Sequence, residues 1–223
     1  MRLNIGIDGP VGAGKSSVAD AVAARLGILH LDTGAMYRAL GLTAIRRGID
    51  THDEKAIVDL CLSLTFTVSH EADGQHTYVD GEDVTGEIRT EEVSMAASTV
   101  SKYAKVREKM VALQQQFATE RDVLLDGRDI GTTVLPNATA KIFLTATPEE
   151  RARRRWLEYQ QQGKTDTYEQ VLEAVKARDK QDMGRKVEPL RQAEDAVLVD
   201  STDLSFDEVV ETILRIVEEK RRG

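Results

Sequence analysis

The sequence predicts an α/β fold: a parallel sheet covered by helices on both faces, carrying a small antiparallel insert. Three observations point there. Five short apolar runs, 3–7, 28–31, 123–125, 141–145 and 196–199, alternate with helical patterns, the arrangement that buries parallel strands between helix layers. Helix starts fall in the intervals: Thr147-Pro148-Glu149-Glu150 reads as a capping box with proline at the first helical position, and Thr167-x-x-Gln170 and Ser205-x-x-Glu208 repeat the box without it. Over 64–85 the period drops to two, with Leu64, Phe66 and Val68 on one side and Thr65, Thr67 and Ser69 on the other.

In chain order, the first run leads into Gly9-Pro10-Val11-Gly12-Ala13-Gly14-Lys15-Ser16, which satisfies G-x-x-x-x-G-K-[ST]. Glycines at 9, 12 and 14 let the backbone fold into a nest whose N–H groups cradle the α- and β-phosphates of a nucleoside triphosphate. Lys15 reaches the β- and γ-phosphates, Ser16 offers its hydroxyl to Mg²⁺, and Ser17 completes the cofactor-binding stretch. The helix that starts here adds the positive end of its dipole. An accidental glycine-rich turn would lack this context: a strand before, and after it an amphipathic helix at 17–26 with Val18, Ala21, Val22 and Leu26 apolar and Gly27 as its stop.

The run 28–31 is the second strand. Turn signals at Asp73-Gly74 and Asp80-Gly81 divide the period-two region into three short strands, too small a sheet to stand alone and so packed on the parent domain. The run 123–125 then ends at Asp126-Gly127-Arg128-Asp129. Ligands in open α/β sheets gather at the carboxyl ends of strands, which makes Asp126 the candidate to hold Mg²⁺ rather than a polar strand end at the surface. Gly127 stands where hydrolysing motors carry a glutamate to activate water. The two asparagines, Asn4 and Asn137, are not followed by lysine, so the guanine-reading N-K-x-D element of regulatory GTPases is missing. Motor and GTPase are both disfavoured.

Arginines form the next signal. Arg151, Arg154 and Arg155 fall at i, i+3 and i+4 and so share a helix face, with Arg153 to one side; Arg178, Arg185, Lys186 and Arg191 follow. Flanking the Gly163-Lys164 turn, the two clusters suit a mobile lid that closes over polyphosphate and keeps water out. The competing reading is a solvated face paired with Glu149, Glu150 and Glu158.

Composition bounds the function. A chain of 223 residues can bury a large core as one domain with an insertion. Its net charge of −8 argues against nucleic acid or a membrane surface as partner. The single cysteine, Cys61, allows neither an internal disulfide nor a cysteine-based metal site and reads as a buried small side chain. Arg2 followed by five mainly apolar residues is too short for a signal peptide, and no apolar run nears the ~20 residues a spanning helix needs. A cytoplasmic location is expected.

Four further motifs carry a resemblance. Leu31-Asp32-Thr33-Gly34-Ala35-Met36-Tyr37-Arg38, Gly86-Glu87-Ile88-Arg89-Thr90, Asp126-Gly127-Arg128-Asp129-Ile130-Gly131-Thr132 and Arg178-Asp179-x-x-Asp182-x-x-Arg185 occur in the order seen in bacterial cytidylate kinases, which the chain resembles along essentially its whole length. The resemblance implies a five-stranded sheet of P-loop type in the order 2-3-1-4-5. It implies a monophosphate-binding region at 33–100 that includes the insert at 64–90, and a lid at 151–185, all within a single domain 1–223. It further implies transfer of a phosphoryl group from ATP to CMP or dCMP with Mg²⁺, in pyrimidine nucleotide metabolism, by a monomer.

By motif matching, Thr33, Arg38, Arg128 and Arg185 contact the CMP phosphate, Ser98, Arg107 and Asp129 read cytosine, and Arg178 and Asp182 hold the sugar. Arg154 is the lid arginine assigned to catalysis, beside Lys15, Arg128 and Arg185. The chemistry suits these residue types, since a phosphomonoester dianion wants forked donors and the cytosine amino group wants a carboxylate. Read from the residues alone, Thr33 and Ser98 are ordinary helix caps. Another small-molecule P-loop kinase and a nucleotide-dependent regulatory protein stay open as alternatives.

Overall fold

A computed structural model describes residues 2–71 and 74–222; Asp73 of the expected Asp73-Gly74 turn lies outside them. The five apolar runs become parallel-sheet strands: β1 (Asn4–Asp8), β2 (Leu29–Asp32), β6 (Val123–Gly127), β7 (Ala140–Thr145) and β8 (Val197–Asp200). The sheet order is β2-β6-β1-β7-β8, which is 2-3-1-4-5 when these strands alone are counted. The chain divides into two compact units, Met1–Ile28 with Asp122–Gly223, and Leu29–Arg121.

In the first unit β1 is the central strand, paired in parallel with β6 (Ile7 opposite Asp126) and with β7 (Ile7 opposite Ile142). Its residues are buried after the first, which is why the run reads as continuously apolar. Helices α1 (Lys15–Leu26) and α8 (Phe206–Arg222) share one core with these strands, built from Ile5, Ile7, Val18, Val22, Leu124, Ile142, Leu144 and Ile213. Gly27 at φ 66 ends α1 in the left-handed region, as the stop signal anticipated. Helices α6 (Pro148–Gln161) and α7 (Tyr168–Met183) form a hairpin around Ala152, Tyr159, Val171 and Val175, with Val11 packed against it.

Two of the three capping boxes close. Thr167 and Gln170 exchange both bonds, and so do Ser205 and Glu208. At Thr147 only half forms: its hydroxyl caps Glu150, but the Glu150 carboxylate turns to Arg153 and Arg154 at 2.7–2.9 Å. A charged donor is the stronger partner for an ionised acceptor than a neutral backbone N–H.

The second unit surrounds α2 (Thr33–Arg46), which is buried on nearly every side. Gly41 lets it approach α4 (Glu91–Val100): a Cβ there would stand 3.0 Å from the Ala97 nitrogen. Helices α3 (Glu54–Ser63) and α5 (Ala104–Glu120) complete the core, with Cys61 buried in α3. The period-two region is the antiparallel sheet β3 (Phe66–Glu71), β4 (Gly74–Val79) and β5 (Glu82–Asp83). Asp80 and Gly81 both take positive φ, 51 and 87, as a two-residue hairpin turn demands. The insert is tied down by Gln75, whose Oε1 accepts from the Asp32 nitrogen at 2.7 Å. No described helix is long and apolar enough to cross a membrane.

Candidate active site

The phosphate loop follows β1 directly and has the backbone its glycines anticipate. Gly9, Gly12 and Gly14 sit at φ 155, 74 and 81. At Gly9 the requirement is also steric, because a Cβ would come within 1.9 Å of the Leu144 carbonyl oxygen. Gly14 is the N-cap of α1 and offers no side-chain acceptor, so the first N–H groups of the helix are left to an anion.

Lys15 folds back over this loop, its Nζ donating to the Pro10 carbonyl at 2.8 Å. It is buried, and that burial, with the nearby positive charge of Arg128, lowers its pKa to about 7 against the pull of Asp126, Asp182 and Asp8.

Ser16 and Asp126, the two residues expected to serve a metal, meet: Ser16 Oγ donates to Asp126 Oδ2 at 3.0 Å. A hydroxyl and a carboxylate converging at the mouth of an anion nest are hard oxygen donors, which fits Mg²⁺. Among the described residues no group of three or more His, Cys, Asp or Glu is gathered to hold a metal by itself. One hydroxyl and one carboxylate match the usual habit of Mg²⁺, one or two protein oxygens with the rest from phosphate and water.

The resemblance-derived residues Arg128, Arg178, Asp182 and Arg185 form one cluster. Asp182, at the C-terminal end of α7, is fully buried. It accepts from Arg128 Nε at 2.8 Å, Arg178 Nε at 3.2 Å and Arg185 Nη2 at 2.6 Å. Burial alone would raise its pKa; the three guanidinium groups hold it well below the carboxylate range. Burial also lowers Arg178, with Arg128 and Arg185 adding to the effect. The four side chains carry three positive charges and one negative, an excess that suits a phosphomonoester dianion.

Asp129 opens a π-helical turn, Ile130–Val134, and its carbonyl accepts from Thr133 and Val134. The carboxylate is buried.

The lid arginines do not act as one face. Arg151 turns inward, pairing with Asp179 at 3.0 and 2.6 Å and donating to the carbonyls of Ala146 and Val11 at 2.9 Å. Periodicity alone groups it with its neighbours; the apolar packing of the α6–α7 hairpin draws it into the interior. Arg154 is shared between Glu150 and Ser201, while Arg155 reaches the Tyr159 hydroxyl. Glu150 thus takes the pairing that the solvated-face reading gave it.

In the second unit, neither Thr33 nor Ser98 is an N-cap. Asp32 caps α2 through the Ala35 nitrogen and Thr90 caps α4, so both hydroxyls, which are buried, are not accounted for as caps. Arg38 Nη2 donates to Asp32 Oδ2 at 2.6 Å. Arg107 is buried, with its guanidinium 5.7 Å from the centre of the Tyr37 ring and Nη1 at 3.4 Å from the Ser101 carbonyl.

Comparison with known proteins decides the family. The family of cytidylate kinases matches residues 5–219. The chain belongs to the cytidylate kinase family. It is 52% identical over 215 residues to a cytidylate kinase of Caldicellulosiruptor bescii, covering 96% of this chain and 95% of that one. It is 47% identical over 221 residues to the cytidylate kinase of Bacillus subtilis, covering 99% of each. Its fold is similar to that of a shikimate kinase from Bacteroides thetaiotaomicron, with a TM-score of 0.51 at 12% identity, over 97% of this chain and 98% of that one.

Two residues of this cytidylate kinase family member escape sequence reasoning. Helical spacing groups Arg151 with the lid, and nothing local marks Asp179 as its partner. Asp8 ends an apolar strand with a buried carboxylate; that break in the apolar pattern is the one signal that could have singled it out.

Proposed function

We propose that this chain transfers the γ-phosphoryl group of ATP to CMP or dCMP, giving ADP and CDP or dCDP. Family membership along nearly the whole chain supports the reaction. The observation that carries the reading is the nearness of two unlike anion sites: Asp8 lies opposite Gly127 in the parallel register of β1 and β6, so the phosphate loop starting at Gly9 and Arg128 of the arginine cluster leave the sheet side by side. One suits a donor, the other a monophosphate acceptor.

The chain's work is positioning and electrostatics, because phosphoryl transfer leaves little covalent chemistry to the protein. The loop Gly9–Ser16 binds the donor phosphates through its N–H groups. Ser16 and Asp126 would hold Mg²⁺, which when bound offsets phosphate charge. Lys15, Arg128, Arg154 and Arg185 stabilise charge on the transferred group as it moves. Thr33, Arg38, Arg128 and Arg185 take the acceptor phosphate, Arg178 and Asp182 the sugar, and Ser98, Arg107 and Asp129 the base. Asp182 performs its part as the anchor of three arginines as well as an acceptor for a hydroxyl.

In this reading residues 33–100 form the monophosphate-binding region, insert included, and 151–185 close as a lid that keeps water from the reacting phosphoryl group. The protein works as a cytoplasmic monomer on small molecules, and its net charge of −8 favours neither nucleic acid nor membrane as partner. A coupled ADP-release assay run with each nucleoside monophosphate in turn tests the proposal. CMP and dCMP are expected to be the best acceptors; equal turnover with UMP or AMP, or none with CMP, would overturn it.

A further inference from the structure

Asp8 is the last residue of β1 and is only 4% exposed. A buried carboxylate at the end of an apolar strand is costly, and burial raises its pKa to about 6 even though two backbone N–H groups oppose the shift. Those bonds define its task. Oδ1 accepts from the Ile130 nitrogen and Oδ2 from the Gly131 nitrogen, both at 2.7 Å.

Ile130 and Gly131 open the π-helical turn that directly follows Arg128 and Asp129. Such i→i+5 turns are rare and recur at functional sites. A second strand borders the turn as well. Lys141 of β7 donates to the Pro136 carbonyl at 2.5 Å and to Asp195 at 2.8 Å. A Cβ at Gly131 would stand 3.1 Å from the Lys141 stem and 3.4 Å from Asp8 Oδ2, so the backbone sits between two charged side chains with no room to spare.

Gly9, the first residue of the phosphate loop, follows Asp8 immediately, and Asp8 lies opposite Gly127 in the β1–β6 register. We propose that Asp8 is a positioning residue: by holding the Ile130 and Gly131 N–H groups, it fixes the loop bearing Arg128 and Asp129 relative to the phosphate loop. Strand β1 then carries both alignments, donor through Gly9 and acceptor through Asp8. The inference rests on the reading that Arg128 meets the acceptor phosphate and Asp129 the base.

The test compares the wild type, Asp8→Asn and Asp129→Ala in steady-state assays with ATP, CMP and UMP, folding being checked by circular dichroism and thermal melts. Asparagine keeps the shape but sets an NH₂ group against one of the two N–H donors. KM for CMP should rise roughly tenfold or more, because small misplacements of reacting groups are costly, while KM for ATP stays within about twofold. The CMP-to-UMP ratio of kcat/KM should fall toward that of Asp129→Ala. An unchanged KM for CMP, or an equal rise for ATP and CMP, overturns the proposal. If Asp8→Asn does not fold, Gly131→Ala disturbs the same turn and must give the same split; equal losses, or none, overturn it. Should Asp129→Ala leave the CMP-to-UMP ratio untouched, the base-reading role fails instead, and Asp8 is judged on the CMP-against-ATP split alone.

Discussion

Ser16 and Asp126 are 110 positions apart in the chain and 3.0 Å apart in space, hydroxyl to carboxylate. The parallel register of β1 and β6, with Ile7 opposite Asp126, brings this about: the loop leaving β1 and the end of β6 open on the same edge of the sheet. If the pair serves Mg²⁺, Ser16→Ala and Asp126→Asn should each raise the Mg²⁺ concentration needed for half-maximal rate by about tenfold or more. Their effects should also be non-additive in the double variant. Strictly additive losses with an unchanged Mg²⁺ requirement would reduce the contact to a structural hydrogen bond.

Lys15 should separate activity from stability. Its charge is held in a buried position where its pKa falls to about 7, so Lys15→Ala removes a costly group from the folded state and should melt no lower than the wild type. Turnover at saturating ATP and CMP should drop by roughly a hundredfold to a thousandfold, the usual loss when a donor to developing charge is removed. Near-normal turnover of the folded variant would show that the cation does not act in the transition state.

Arg151 and Arg154 stand one helical turn apart and should behave as opposites. Arg151→Ala leaves Asp179 buried without its bidentate partner and should cost about 3–5 kcal/mol of stability. Arg154 is partly exposed, shared between Glu150 and Ser201, so Arg154→Ala should barely shift the melting temperature while lowering kcat. Denaturant melts set beside kcat for the two variants decide the matter; similar stability losses would mean that Arg154 is structural as well.

What was legible in the chain was what neighbouring residues encode. The five strands, the phosphate loop and the hairpin turn at Asp80-Gly81 follow from patterns a few residues long. Asp126 was visible because it ends a strand. The bonds of Asp8 to Ile130 and Gly131 span 122 and 123 positions, and that of Asp182 to Arg128 spans 54; no local period records such pairings. Helical spacing put Arg151, Arg154 and Arg155 together, yet which of them meets the interior depends on the packing of α6 on α7. Thr33 reads as a cap because it stands one position after Asp32, which takes that role, whereas Ser98 falls near the C-terminal end of α4, far from the capping Thr90, so a hydroxyl by itself does not mark a helix start.

Asp182 anchors three guanidinium groups in a fully buried position. Asp182→Asn strands those charges, and removing one partner from a buried ionic cluster costs about 3–5 kcal/mol. The variant also loses the acceptor for the sugar hydroxyl and should bind CMP less tightly, so CMP should raise its melting temperature less than that of the wild type. The KM for CMP should suffer more than that for ATP. If CMP stabilises both proteins equally, the arginine cluster does not receive the acceptor.

Stability should depend on pH in two opposite ways, because two buried carboxylates are shifted in opposite directions. Asp8 is raised from 3.8 to about 6, chiefly by burial. Between those values the folded state binds the proton more tightly than the unfolded chain, so stability falls as pH climbs from about 4 to 6 and then levels, by up to about 3 kcal/mol. Asp182 is held below 3.8 by Arg128, Arg178 and Arg185 against the opposing effect of burial. Its contribution is complete above that value and is lost as pH falls beneath it. Urea melts from pH 3 to 7 should therefore lose the descending arm between 4 and 6 in Asp8→Asn, while the acid arm survives. Asp182→Asn should make the acid arm shallower, the lowered carboxylates of Asp83 and Glu150 keeping part of it, and leave the other arm in place. A wild-type slope between pH 4 and 6 in Asp8→Asn would mean that Asp8 is ionised throughout that range, and that its two backbone hydrogen bonds outweigh the burial of its charge.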